Sequence, residues 1–483
     1  MAQKNETPVL ILSLLITLGL LGAGAWWFAS RFNLGNVLSG SPSSSPVVTV
    51  SPGGTPGGSS STAVSPASIP DRISSGDRVL FDGASPDKQT AVQAIASGNY
   101  AAAVSSLELS LQSDRNDPEA LIYLNNARIG NQKSYTIAVS VPVANSPNPA
   151  LEILRGAAQA QHEINRAGGM NGVPLKIQIV SDDNDPNIVK QVADALVKDA
   201  SVLGVVGHFG SDASLAAAPI YQQGGLVMIS PTSTSVDLSG KGNFVFRTVP
   251  SDRFTAATLS RYLLNTLNKQ KAAVFFTSGS AYSNSLKNEF STALATDGGQ
   301  VVSEVDITAP GFDPTSAVDQ AAQQGADVLV LLPNTATLDA ALQLVQANNR
   351  KLPLVGGDSV YNPKTLEVGG ARAEGMVVAV PWDLLSNPQA PFVTSSRRLW
   401  GADVNWRTAM AYDAVQSLAA GLRQNPTRSG VEQTLRANGF SIDGATGTVR
   451  FLPSGDRNQA MQLVVVEPGK RSGFGFDFNP VAR

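Results

Sequence analysis

Cysteine is missing from all 483 residues. Its absence excludes disulfides, thiolate metal sites, cysteine nucleophiles and a lipid-modified N-terminal cysteine. It does not fix the compartment, because a large domain is stable outside the cytoplasm without disulfides. Histidine is almost missing too, with only His162 and His208, too few for most hydrolytic or metal chemistry. Charged residues are sparse, at 15%, and sum to a net charge of −3 with no basic block. The clustered Lys and Arg needed to hold nucleic acid are therefore not present. There is no G-x-S-x-G elbow, no Gly-Lys phosphate loop and no metal-ligand cluster, so an enzyme is disfavoured and no cofactor is expected. What remains is a chain that is 42% hydrophobic, suited to folding and too long for one core.

Residues 7–30 contain no charge and are rich in Leu, Ile, Val, Ala and Gly. As a helix they span about 36 Å, enough to cross a hydrocarbon core. Trp26, Trp27 and Phe28 close the run as an interfacial aromatic belt does. Residues 1–31 thus read as a transmembrane anchor, with the rest of the chain outside the cytoplasm. The small-x-small triplet Ala23-Gly24-Ala25 keeps a cleaved signal as the alternative. Beyond it, residues 32–70 carry one further uncharged stretch dominated by Ser, Pro, Gly and Thr. Such a segment buries too little apolar surface to order, and 32–86 is expected to be a flexible tether.

Residues 87–133 change character. Ala91 and Ile95, then Tyr100, Ala103, Val104, Leu107 and Leu111, recur at helical spacing around a Gly98-Asn99 turn. Asp117-Pro118 opens a further helix. The stretch resembles a tetratricopeptide repeat at Gly98, Tyr100, Ala103, Leu107, Asp117, Pro118 and Ala120, but only about one and a half repeats fit. A short helical hairpin packed on the main domain and a partner-docking module both suit it.

From residue 134 onward, short apolar strands alternate with helices. YTIAVSVPV, LKIQIVSDD, LGVVG, LVMIS, FVFRTV, KAAVFFT and ADVLVLLP are the strands. This α/β alternation predicts parallel sheets covered by helices. Ligands of such sheets bind beyond the carboxyl ends of the strands. There the sequence places Gly207-His208-Phe209-Gly210-Ser211, Ser230-Pro231-Thr232-Ser233-Thr234, Thr277-Ser278, Asn334 and Asp358. His208 after an apolar strand reads as structural and His162 as solvated. Asp182, Asp183 and Asp185 read as a loop with a helix cap rather than as a metal site.

Several stretches carry a family resemblance: GGMNGVPLKIQIVSDDNDP, VVGHFGSDASLAAAPIYQQGGLVMISPTSTSVDLS, MAYDAVQSLAAGL and GATGTVRFLPSGDR. Over residues 134–470 the chain resembles type I periplasmic binding proteins of the leucine/isoleucine/valine and amide group, which serve ABC importers. The resemblance implies a two-lobed fold of two parallel-sheet lobes with three hinge crossings, near 249–252, 380–383 and 451–456. One lobe would hold 134–250 and 382–451, the other 251–381 and 452–483. It also implies ligand contacts. The serine matching Ser211 and the threonine matching Thr234 hold a ligand carboxylate. The residue matching Thr232 offers its carbonyl to the ligand ammonium, with Ser233 beside it. An acid matching Asp358 on the other lobe neutralises that ammonium. Tyr282 matches a wall tyrosine and Asn334 a further contact. The loop VPVANSPNPALEILRG departs from the pattern in lacking a tyrosine, leaving Ser146 and Asn148 as substitutes.

Two functions follow as expectations. The first is capture of an amino acid or amide-like ligand for the permease subunits of an ABC importer. The second is a membrane-tethered receptor or interaction protein, of the kind that activates cell-wall synthases, using the same fold without transport. Ser211, Thr232 and Thr234 also suit plain capping of helices and turns.

Overall fold

The computed structural model describes residues 68–481. The expected anchor over 1–31 and most of the expected tether lie outside the described residues. Among the described residues no helix is long and apolar enough to cross a membrane.

Two sheets organise the chain. The first comprises β1 (Ile73–Ser74), β2 (Tyr135–Val141), β3 (Leu175–Ser181), β4 (Val202–Val206), β5 (Met228–Ser230) and β6 (Val245–Arg247), in the order β1-β3-β2-β4-β5-β6. Strands β2 to β6 pair in parallel. The second comprises β7 (Lys271–Phe276), β8 (Gln300–Asp306), β9 (Val328–Leu332), β10 (Leu354–Gly356), β11 (Val377–Val380), β14 (Gln462–Pro468) and β15 (Phe476–Pro480), in the order β15-β14-β11-β10-β9-β7-β8. Here β14 and β15 add antiparallel strands to a parallel core, so the sheets are mixed rather than wholly parallel. A small hairpin joins β12 (Ile442–Gly444) to β13 (Gly447–Val449).

The chain passes between the sheets three times, after β6, after β11 and between β13 and β14. Every residue of the central strands β9 and β11 is buried, which explains their continuous apolar runs. Local signals set the helix starts. Asp185 accepts from the N–H groups of Asn187 and Ile188 and Pro186 follows it, opening α5 (Pro186–Lys198).

The segment before residue 87 is not all tether. Ile73 and Ser74 form β1, antiparallel to β3, with Ile73 opposite Val180. A two-residue strand in an otherwise polar stretch is enough to cap a sheet edge, and composition alone hides it. The two periodic runs and the further helix read over 87–133 are three helices rather than a two-helix hairpin: α1 (Pro86–Ala96), α2 (Tyr100–Ser113) and α3 (Pro118–Ile129). Almost all of α3 is buried, so this layer is built into the first lobe. Asn126 fixes it there: its amide donates to the carbonyls of Ser75 and Ile177 and its oxygen accepts from Ile177 N–H and from Gln161. The helix thereby satisfies polar backbone groups of Ile177 in β3. Glu119, fully buried, accepts from Leu80 N–H and pairs with Lys88.

Two further helices bring the remaining site residues into place. α4 (Pro147–Arg166) and α13 (Trp406–Gln424) cross closely at Gly156, where an added Cβ would lie 2.1 Å from the Thr408 carbonyl oxygen. Only glycine permits that approach, and it holds the first turn of α13 against the first lobe.

Candidate ligand-binding cleft

A cavity of about 450 Å³ opens between the two lobes, within the range of small-molecule sites. It lies at the carboxyl ends of the strands. From the first lobe it is lined by the start of α4, the loop after β3, and the start of α6 (Ser211–Gly224). The other lobe contributes α8 (Ala281–Thr296) and the turns after β9 and β10.

Ser211 is the first residue of α6, and Gly210 is its N-cap. The N–H groups of that first turn have no acceptor inside the helix and carry the positive end of its dipole. Gly210 is required here, since a Cβ would sit 2.3 Å from Asn184 Oδ1, the atom that accepts the Gly210 N–H. The Ser211 hydroxyl accepts from Ser235 N–H at 3.3 Å. Across the cleft, Asp358 is buried and receives the Tyr282 hydroxyl at 2.7 Å. Burial pushes the Asp358 carboxyl above its ordinary range, while the Arg407 charge and the Tyr282 bond pull it down. Burial likewise carries the Tyr282 phenol well above its usual value.

Six of the nine expected residues share this cavity: Ser146, Ser211, Thr232, Tyr282, Asn334 and Asp358. Thr232 also donates its hydroxyl to the Phe209 carbonyl at 2.7 Å. Asn334 caps a short turn through Thr337 N–H. Ser146 stands at the N-cap of α4 without using its hydroxyl to cap.

Three are not brought into the cavity. Ser233 is fully buried and bonded to Ser214 and to the carbonyls of His208 and Phe209. It braces the loop from within. Thr234 is fully buried too; its carbonyl accepts the Asp252 N–H and its hydroxyl lies beside the Asp252 carboxyl. Asn148 is exposed in the first turn of α4 and does not line the cleft. Of the two histidines, His208 is fully buried, sits 2.6 Å from Asp182 and contacts the Tyr221 hydroxyl, a structural role. His162 is not solvated as expected: it is half-buried against Asn125 of α3, and burial lowers its pKa. Of the acidic loop residues, Asp185 caps α5, and Asp183 bonds Arg72 at 2.5 Å.

Contacts bridge the lobes beside the cavity. Asp212 accepts from Ala281 N–H at 3.1 Å, and Val236 N–H donates to the Ser285 hydroxyl at 3.0 Å. Two buried charges escaped the sequence reading. Arg407 lines the cavity from the first turn of α13, its guanidinium carbon 4.3 Å from the Trp406 ring centroid. Its signal is a cation in the first helical turn, where the dipole disfavours one. Asp252 opens α7 (Asp252–Asn265) fully buried, with neither carboxylate oxygen in full hydrogen-bond geometry. Burial pushes its carboxyl up to about 7, moderated by the nearby Ser285 and Thr234 hydroxyls.

The chain is similar to known proteins. A family profile described as periplasmic binding protein matches residues 136–471. The Leu/Ile/Val-binding protein of Escherichia coli (strain K12) is 28% identical over 324 residues, which cover 66% of this chain and 86% of that protein. An ABC transporter substrate-binding protein from Desulfitobacterium hafniense, solved in complex with Leu, superposes with a TM-score of 0.61 at 27% identity, covering 72% of this chain and 100% of that one. A leucine-binding protein from Thermotoga maritima shares the fold, with a TM-score of 0.63 at 21% identity, covering 71% of this chain and 97% of that one.

Proposed function

The chain belongs to the periplasmic-binding-protein family, and from that premise we propose that it captures a small polar solute, an amino acid or amide-like compound, outside the cytoplasm for an ABC importer. The observation that carries this reading is one cavity with a helix N-terminus and Ser211 on one lobe and the buried Asp358 on the other. A ligand carboxylate is held by the first-turn N–H groups of α6 and the Ser211 hydroxyl. Its ammonium is neutralised by Asp358 and also meets the Thr232 carbonyl. Tyr282 orients Asp358 and forms the far wall, with Asn334 and Ser146 as polar contacts. Charge-assisted bonds of this kind are roughly twice as strong as neutral ones. Because the two ligand charges are met from different lobes, binding favours the closed form, which is what a permease recognises. The relatives named for leucine, isoleucine and valine support amino acid capture. Residues 1–31 serve in this reading as the anchor that keeps the protein at the membrane.

The receptor reading draws support from one feature, the three-helix layer built into the first lobe, which offers a partner a surface of its own. Calorimetry of the full chain against amino acids, amides and urea-like compounds separates the two. Solute capture requires at least one ligand of about micromolar affinity, lost in the Ser211→Ala, Asp358→Ala double variant with the fold intact. Silence across the panel rejects solute capture in favour of the receptor.

A further inference from the structure

The cleft's lining does not match a branched aliphatic side chain. Among the described residues no Leu, Ile, Val or Met side chain lines the cavity; Phe209, Ala336, Trp406 and the Tyr282 ring are its main apolar surfaces. Polar groups supply most of the rest; the charged ones are Asp183, which pairs with Arg72, Asp212, which accepts from Ala281 N–H, Asp358, and a single cation. Arg407 is 5% exposed. Among the described residues its guanidinium makes one hydrogen bond, a long one from Nη1 to the Tyr361 carbonyl at 3.5 Å, and its Nε has no acceptor. Asp358 and Glu152 share its field, but neither hydrogen-bonds it: Asp358 accepts from the Tyr282 hydroxyl, and Glu152 pairs with Arg155 at 2.6 Å and accepts from Thr408. A buried guanidinium with five donors and so little to bond is costly unless something in the cavity pairs with it. An aliphatic side chain seated there would bury the cation further and leave it unpaired. A carboxylate would meet its planar fork with two parallel bonds.

From this we infer that the ligand is an α-amino acid with a side-chain carboxylate, glutamate or aspartate, and that Arg407 is the residue that selects it. The inference rests on the amino acid reading of the cleft. The α-carboxylate goes to the start of α6 and the α-ammonium to Asp358, so the second carboxylate is what remains to accept hydrogen bonds from the Arg407 guanidinium. The crossing at Gly156 contributes by holding the first turn of α13, and with it Arg407, at the cavity wall.

The test is calorimetry of the full-length chain in mild detergent with L-glutamate, L-aspartate, L-glutamine, L-leucine and L-isoleucine. The same titrations are run on Arg407→Met, and on Arg407→Lys in case the first variant does not fold. In the wild type, glutamate or aspartate binds at least tenfold tighter than glutamine and at least a hundredfold tighter than leucine. Arg407→Met weakens the acidic ligand about a hundredfold without weakening leucine, and Arg407→Lys gives an intermediate loss. Leucine binding as tightly as glutamate overturns the acidic assignment while leaving amino acid capture standing. Equal affinity for glutamine and glutamate overturns it as well, since charge is then not read. An equal loss for every ligand in Arg407→Met places Arg407 on the α-carboxylate and removes its selective role. No heat with any amino acid rejects the underlying reading itself.

Discussion

Replacing Asp252 with asparagine should remove a loss of stability that the wild type suffers as pH rises. The carboxyl is fully buried at the first crossing between the lobes, with no full hydrogen bond to either oxygen. Its pKa rises from 3.8 to about 7 because burial penalises the charged form. Between those values the unfolded chain gives up this proton and the folded chain keeps it. Stability is therefore fullest below the unfolded pKa, falls as pH climbs toward the folded one, and levels off beyond. At about 1.4 kcal/mol per pKa unit, ionisation costs the fold roughly 4 kcal/mol above neutrality. An asparagine at this position keeps the shape, and its amide finds the Thr234 and Ser285 hydroxyls as acceptors, without a proton to lose. Relative to Asp252→Asn, the wild type should lose roughly 3 kcal/mol between about pH 5 and about pH 8. Equilibrium unfolding in urea of both proteins at the two pH values measures this difference. A gap between them that does not change with pH would refute the buried, unpaired acid.

The remaining predictions concern the supports of the cleft. Gly156→Ala forces α4 and α13 apart, because its Cβ would meet the Thr408 carbonyl at 2.1 Å. It should cost about 1–3 kcal/mol in thermal unfolding and weaken ligand binding through displacement of Arg407, whereas unchanged affinity would disconnect the crossing from the site. Asn126→Ala removes four hydrogen bonds at the seam between α3 and β3. It should destabilise the first lobe by about 3 kcal/mol and raise amide exchange at Ile177, with ligand affinity little altered. Asp212→Ala cuts the bond to Ala281 N–H across the cleft, and should weaken every ligand by a similar factor of about ten; a ligand-specific loss would make Asp212 a direct contact instead.

Much of the cavity's lining was legible because its residues follow strand ends. Ser211 comes after the apolar run of β4 and a glycine, and Asp358 after Gly356-Gly357, so alternation alone located both. The resemblance then supplied their pairing across two lobes. Direction within a buried loop was not legible. Thr232, Ser233 and Thr234 are adjacent hydroxyl residues of similar chemistry, yet only Thr232 reaches the cavity. Ser233 bonds inward to carbonyls and Thr234 faces Asp252. Asp252 itself reads as an ordinary acidic first-turn residue, because nothing in the sequence says that its helix start is covered. Arg407 is far along the chain from most of the other cavity residues, and the close crossing at Gly156 helps to hold it there. The ordered strand β1 escaped for a different reason: two residues cannot outweigh the composition of the polar stretch around them.

Closure around a ligand is the claim on which the account depends, and the cysteine-free chain allows it to be measured directly. Asn148→Cys and Gly279→Cys introduce the protein's first thiols, both at exposed positions near the cleft's rim on opposite lobes. The position of Gly279 has open space for a side chain. With a spin label on each, pulsed electron resonance reads the distance between lobes with and without the amino acid that calorimetry identifies. Ligand should narrow the distribution and shorten it by several ångströms, about the scale of a hinge closure, and the distribution should stay wide in the Asp358→Ala background. A ligand that binds while leaving the distribution unchanged would contradict it.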